Sequence, residues 1–386
     1  MKKIGTANIL ATASAIALCL NLAVAGAANA QVTVGVSLSA TGPGAALGIA
    51  EKNTLELLPK TLGGQTVRYI ILDDATDPAT AGKNARRFVE SDKVDVIIGS
   101  STVPTSVAVM EVAAAGKTAQ LALAPFVAKP DLQPWVFVMP QSVELMGSAI
   151  LQDWKAQGVK SVGFIGFNDA WGESWLKEMQ AKLPQQGIKL SVVERYARAD
   201  QSVTGQTLKL MAANPDAVLV VASGTPGVLP MRTLRERGYK GKIYQTHGVA
   251  NIEFLRLAGK MDEGVRLPTG PVLVAEQLPD SHPSKAVATR YVNQYEAKFG
   301  PNSRNNFGAY AYDAYLLLDS AVAAASKKAA PGSAEFRSAL REALETTTNL
   351  PVTHGVINMS KQDHTGLDER ARVLISIESK TWKLAK

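Results

Sequence analysis

From residue 31 onward, short β-branched runs alternate with stretches whose apolar positions recur at helical spacing. Residues 31–38, 67–72 and 94–98 are rich in apolar residues and bounded by turn formers, the pattern of buried strands. Helical patterns lie between them. Asp77 followed by Pro78 supplies an N-cap with proline at the first helical position, and Phe88 and Val89 close that helix's apolar face. A second series starts near Ser142, where Met146, Ile150 and Trp154 repeat every fourth residue until Gly158 ends the helix. Strands are predicted at 159–165, 189–193, 216–222, 242–245 and 264–267, with a helix carrying Trp175, Met179 and Leu183 and others near 202–213 and 227–237. The rest is helix-rich. Val287, Tyr291, Tyr295 and Phe299 share one face until Gly300-Pro301 stops it, and helices follow over 306–326 and 333–345. Short strands near 352–358, 370–377 and 381–384 close the chain.

Alternation of this kind predicts parallel sheets covered by helices on both faces, here in two α/β domains. No low-complexity linker separates the parts. Two domains without a tether imply that the chain crosses between them more than once, and the crossings are placed near Pro140, 268–273 and Pro351.

The N-terminus reads differently. Lys2 and Lys3 precede an uncharged apolar stretch over 9–27, and Ala28-Asn29-Ala30 offers a small-x-small cleavage pattern. Residues 1–30 are therefore expected to be a signal peptide cleaved after Ala30, with a periplasmic mature chain beginning at Gln31. Ala, Ser, Thr, Asn and Gly dilute the stretch too far for a membrane anchor. Cys19, the single cysteine, leaves with it. Thiol catalysis, zinc–thiolate sites and disulfides are thereby excluded from the mature chain. The 41 basic and 34 acidic residues of the 386-residue chain are scattered without a charge run, which indicates solvated surface and no nucleic-acid partner.

Few motifs carry chemistry. Gly42-Pro43-Gly44-Ala45-Ala46-Leu47-Gly48 invites a dinucleotide reading, but its spacing is off by one residue and Pro43 occupies a turn position. A tight turn, or backbone amides aimed at a ligand, fits better. Gly99-Ser100-Ser101-Thr102 follows a strand and precedes a helix starting near Thr105. Ligands of open α/β sheets sit beyond the strands' carboxyl ends, and helix-start amides suit a carboxylate. One serine would suffice for capping, so the consecutive hydroxyls point to ligand binding. Asp73-Asp74 and Asp77 suggest a carboxylate cluster, yet Asp77 is explained as a cap and no histidine is near in sequence. His247, His282, His354 and His364 lack metal-ligand spacing, and no hydrolase, phosphate-loop or zinc-protease motif occurs. No cofactor or metal is expected, and no residue speaks for an enzyme.

The order of these pieces resembles the leucine/isoleucine/valine-binding proteins of ABC importers. The resemblance spans the mature chain and is carried by Gly35 through Thr41-Gly42-Pro43, by Leu72 through Pro78, by Ile98 through Thr102, by Asp169-Ala170-Trp171-Gly172-Glu173 and by His247 through Asn251. It implies the type I periplasmic binding fold: two flavodoxin-like, doubly wound α/β lobes joined by three hinge crossovers. Lobe 1 is then 31–140 with 274–350, and lobe 2 is 141–273 with 351–386. It also implies capture of a small carboxylate by hinge closure and delivery to permease subunits of an importer; a ligand-sensing receptor component is the alternative. Carried over residue by residue, Ser100, Ser101 and Thr102 would bind the carboxylate, helped by Pro125 and Phe126 within 124–128, and Trp171 would pack on the ligand. Gln141, Thr225 and Gly248 complete the candidate set. Three positions depart from the family pattern. His247 stands where an acid usually pairs with the ligand ammonium, Ala128 where a hydroxyl is usual, and Leu47 where an aromatic is common. An imidazole cannot neutralise a buried ammonium, so a carboxylate lacking an α-amino group, aromatic or aliphatic, becomes a candidate ligand.

Overall fold

Strand β1 (Val32–Leu38), sequence VTVGVSL, is buried along nearly all its length, as a strand covered on both faces must be. This computed structural model describes residues 31–385, so the predicted signal peptide lies outside the described residues. After β1 come α1 (Ala45–Leu55), β2 (Thr61–Leu62), β3 (Gln65–Asp73), α2 (Pro78–Arg86), β4 (Val96–Gly99), α3 (Val103–Ala115), β5 (Ala119–Ala122) and β6 (Val136–Val138). These strands make a six-stranded sheet in the order β2-β3-β1-β4-β5-β6, parallel except for the β2–β3 pairing.

The second series is α4 (Val143–Ala156), β7 (Ser161–Phe167), α5 (Ala170–Lys182), β8 (Lys189–Tyr196), α6 (Thr204–Ala213), β9 (Ala217–Val221), α7 (Val228–Glu236), β10 (Lys242–Gln245), α8 (Ile252–Ala258) and β11 (Arg266–Thr269). Three helices follow, α9 (Lys285–Phe299), α10 (Asn306–Ala325) and α11 (Ala334–Glu345). The chain ends with the hairpin β12 (Leu350–Val352) and β13 (Gly355–Ile357), then β14 (Val373–Glu378) and β15 (Thr381–Leu384). The second sheet has seven strands in the order β15-β14-β11-β10-β9-β7-β8, with β14 and β15 joining antiparallel at one edge.

Helices α10 and α11 pack back onto the first lobe, α10 against α1 and β2 and α11 against β5. Tyr291 of α9 joins them through a 2.8 Å hydrogen bond to Thr54 of α1. The chain thus leaves the first sheet after β6, returns after β11 and leaves again after α11. Two predicted details differ. The strand predicted over 352–358 is a hairpin, because the Asp313 carboxylate accepts the backbone N–H groups of Thr353 and His354 and turns the chain there. Phe88 and Val89 lie just beyond α2, in a π-helical turn over Arg87–Ser91. Asp77 does cap α2, accepting Thr80 N–H at 2.7 Å, with Pro78 at the first turn.

Candidate ligand-binding cleft

The carboxyl ends of the strands of both sheets face one cleft, which holds a cavity with an empty volume of about 320 Å³. Leu47, Ser101, Thr102, Val103, Leu123, Ala124, Pro125, Phe307 and Tyr310 form its wall on the first lobe; Trp171, Arg198, Ser223, His247 and Gly248 form the other.

The hydroxyl loop begins at Gly99, whose φ of +120° and close approach to Ser37 (a Cβ would lie 2.1 Å from its carbonyl oxygen) demand glycine. The next residues then divide their work. Ser100 turns away from the cavity and donates to Asp74 Oδ2 at 2.5 Å; Ser37 and Ser39 donate to the same carboxylate at 2.9 and 2.7 Å. Ser101 Oγ accepts the Ser39 N–H at 2.9 Å and is hydrogen-bonded to the carboxyl of Glu51 in α1. Thr102 stands at the start of α3, its hydroxyl 2.7 Å from that of Thr105. Glu51 is fully buried, and its Oε1 has no hydrogen-bond partner among the described residues. Burial pushes its carboxyl up to about 8; the bond from Ser101 opposes this and the charge of Asp74 adds to it.

On the other lobe, Asp169 caps α5 by accepting the N–H groups of Trp171 and Gly172 at 2.9 and 3.3 Å. The capped turn sets Trp171 in the cavity wall, where its indole N–H donates to the Ala222 carbonyl at 3.1 Å. The second carboxylate oxygen of Asp169 accepts Arg198 Nε at 2.6 Å. Arg198 also donates through Nη1 to Ser223 Oγ at 2.7 Å and lies 4.2 Å above the Phe167 ring. Two polar neighbours and an aromatic face therefore fix its guanidinium. His247 follows β10 in a short turn and meets Trp171 edge-on, ring centroids 5.3 Å apart. It is buried, and neither ring nitrogen has a hydrogen-bond partner among the described residues. Burial, with a smaller contribution from His354, drives its pKa down to about 3, so the ring is neutral at ordinary pH.

Seven of the sequence candidates line the cavity: Leu47, Ser101, Thr102, Pro125, Trp171, His247 and Gly248. Four do not. Ser100 lies behind the wall on Asp74, and Phe126 faces a neighbouring groove. Gln141 bonds to Ala371 and Tyr310 where the lobes join, and Thr225 opens a short 3-10 turn beside the cavity. Sequence reasoning missed Arg198, Ser223, Phe307, Tyr310 and the supporting Glu51. Phe307 and Tyr310 sit three residues apart at the start of a predicted helix, a face that the inferred crossings place beside the cleft. Arg198 is a lone cation in a loop, with no pattern to mark it. The Gly42–Gly48 stretch is the tight turn into α1, with Gly42 at a φ of +76°. No cluster of three metal-ligating side chains occurs among the described residues.

Two doubly wound lobes with a small cavity between their strand ends define a bilobal solute-binding protein of type I architecture. The chain belongs to the periplasmic binding protein family, whose model matches residues 31–374. Family members and structural relatives bind solutes and are not enzymes, and this chain is a binding protein of that kind. An extracellular ligand-binding receptor from Rhodopseudomonas palustris is 46% identical, covers 92% of this chain and 99% of its own, and superposes with a TM-score of 0.91. An amino acid binding protein from Pseudomonas aeruginosa is 25% identical over 210 residues, which are 51% of this chain and 54% of that protein's length. An ABC transporter solute-binding protein from R. palustris in complex with benzoate shares the fold, with a TM-score of 0.76 at 18% identity over 92% of this chain and 95% of its own.

Proposed function

We propose that the chain is the periplasmic solute-binding component of an ABC importer and that its cavity takes a small carboxylate lacking an α-amino group. One observation carries this reading: the cavity wall holds a fixed guanidinium and a neutral imidazole without partners, and no acid among the described residues lining it. The nearest acids face elsewhere, Asp169 toward Arg198 and Glu51 and Asp74 toward serines. An ammonium buried here would meet like charge and no counter-ion, at a cost of several kcal/mol. A carboxylate would gain a charge-assisted bond from Arg198 and donors from His247 and Ser101. Leu47, Val103, Trp171 and Phe307 suit an aromatic or branched aliphatic body. Relatives of this chain include an amino acid binding protein by sequence and a benzoate complex by fold, which fits side chains rather than topology deciding the ligand.

In this reading the signal peptide is cleaved after Ala30, and the chain works in the periplasm. The lobes divide near residues 140, 273 and 350 and close on the ligand before docking on permease subunits. No helix among the described residues is long and apolar enough to cross a membrane, which suits a separate membrane partner.

The test is a thermal-shift and competition series on the mature protein with benzoate, hexanoate, leucine and valine. A ligand that binds only the native state raises the melting temperature with its saturation. The organic acids should do so and the amino acids should not. His247→Glu should weaken the acids. Tighter binding of leucine or valine than of either acid by the wild type refutes the reading.

A further inference from the structure

Glu51 is a buried acid that touches the cavity only through Ser101. A serine hydroxyl has one hydrogen and two acceptor positions. One acceptor position of Ser101 is filled by the Ser39 N–H at 2.9 Å, which leaves one acceptor position and one hydrogen to share between Glu51 and the cavity. Two arrangements are possible. If the Glu51 carboxyl keeps its proton, it donates to Ser101 Oγ, and the Ser101 hydrogen is free to point into the cavity. If Glu51 is ionised, Ser101 must donate to it and presents a lone pair to the ligand. The first arrangement attracts a carboxylate and the second repels it.

We propose that Glu51 is a positioning residue that holds its proton against Ser101, making Ser101 a donor to the ligand carboxylate and linking anion binding to a neutral Glu51. This rests on the reading of the cavity as a carboxylate site. The surroundings favour the neutral acid. Asp74, beyond β3, is the neighbouring charge that acts on Glu51, and Oε1 of Glu51 has no partner among the described residues to stabilise an anion. Packed on α1 are Tyr291 and Tyr295 of α9, bonded to Thr54 and Asn53 and kept neutral by burial. Helix α10, which also packs on α1, carries Tyr310, Tyr312 and Tyr315, neutral for the same reason, while its Asp313 is bonded to His354 and its Asp319 to the Gly63 N–H. On α1, Lys52 is exposed, and Glu56 at its C-terminal end is paired with Lys298 at the surface. Across the cavity stand Arg198 and the neutral ring of His247.

The sign of the linkage follows. With the free-protein value at about 8, affinity for an anion is flat below that pH and falls as Glu51 ionises above it, approaching a tenfold loss per pH unit. Because His247 is already neutral throughout this range, it contributes nothing to the fall.

The experiment is calorimetric titration of the mature protein with benzoate and hexanoate from about pH 6 to about pH 9.5, on wild type and Glu51→Gln, spanning the window in which a carboxyl raised by burial titrates. The glutamine amide donates to Ser101 as the neutral acid does. Glu51→Gln should therefore bind at pH 7 nearly as well as wild type and lose the alkaline fall. Infrared spectra of the wild type should show a neutral carboxylic acid band at pH 7 that disappears on alkaline titration and is absent from the variant. An alkaline fall that persists in a folded Glu51→Gln, or a wild-type spectrum without the acid band, overturns the role of Glu51 and leaves the carboxylate reading standing. Failure of the wild type to bind either acid at pH 7 overturns the carboxylate reading, and with it the donor role of Ser101. If the variant does not fold, the wild-type spectrum and pH profile decide together.

Discussion

The hydroxyl of Tyr310 donates to Oε1 of Gln141 at 2.8 Å and so ties the cavity wall to the first crossing between the lobes. Gln141 in turn donates to the Ala371 carbonyl at 2.7 Å, on the third crossing. Asn306 donates to the Tyr310 oxygen at 2.8 Å and accepts from Thr269, at the second crossing, at 3.2 Å. His354 lies between Asn306 and Asp313, at 3.0 and 2.7 Å, and stacks on Tyr310 with ring centroids 4.2 Å apart. All three crossings are thus fastened to the first turns of α10.

Tyr310→Phe removes one hydroxyl from this buried network and leaves Gln141 Oε1 without its partner. The expected loss is roughly 1–3 kcal/mol of unfolding free energy, the cost of a buried unsatisfied acceptor. Urea unfolding of the ligand-free protein measures it. An unchanged midpoint and slope would show that the network adds nothing to stability.

Arg198→Lys tests the anion-binding wall. The lysine keeps the charge but lacks the planar fork that holds separate N–H groups on Asp169, on Ser223 and toward a ligand in fixed directions. Affinity for benzoate or hexanoate should fall by about tenfold to a hundredfold, the value of one charge-assisted bond of roughly 1.5–3 kcal/mol. Calorimetry showing wild-type affinity would remove Arg198 from the ligand's partners.

His247 also predicts an acid sensitivity. Its folded-state pKa of about 3 lies below the ordinary value of 6.5, so between these pH values the unfolded chain binds a proton that the native protein refuses. Stability contributed by the neutral ring is complete above the unfolded pKa and is lost as pH falls toward the folded one. The slope approaches about 1.4 kcal/mol per pH unit within that window. His247→Gln, which does not titrate, should flatten the stability profile between about pH 6 and pH 4 by up to one proton's worth. Parallel profiles for the two proteins would mean that His247 is not buried as neutral imidazole.

Much of this architecture is legible in the sequence, for identifiable reasons. Strands buried on both faces, such as β1 and β9, announce themselves as β-branched runs, and the caps at Asp77 and Ser142 mark helix starts. The short strands β5 (AQLA) and β6 (VFV) do not, because three or four residues carry too little pattern. Within the site, Ser101, Thr102 and Trp171 are legible because each sits at a strand-end loop or helix start. Arg198 and Glu51 are not. Arg198 gains its place from Asp169 and Ser223, 29 and 25 residues away in sequence, and Glu51 from Ser101, 50 residues away. A sequence without its fold does not show those pairings. His247 stands out in the sequence for lacking a carboxylate, but its two nitrogens, unpartnered among the described residues, show only in three dimensions.

Closure of the lobes gives the last prediction. A Cβ at Gly224 would lie 3.1 Å from Leu47 Cδ1 and 3.5 Å from the Pro43 carbonyl oxygen, so the two lobes touch at the rim of the cavity. This is a closed arrangement. It buries His247 with both ring nitrogens unpartnered among the described residues, and unmade polar contacts cost free energy. Opening about the three crossovers would rehydrate them, whereas a bound carboxylate would satisfy them and favour closure. The ligand-free protein should therefore scatter X-rays with a larger radius of gyration than this closed form, and saturating benzoate or hexanoate should reduce it. Arg198→Lys should shift the concentration needed for that reduction in step with its calorimetric affinity, because a ligand moves the equilibrium only by its preference for the closed state. Identical scattering with and without an acid whose binding calorimetry confirms would show that capture occurs without closure.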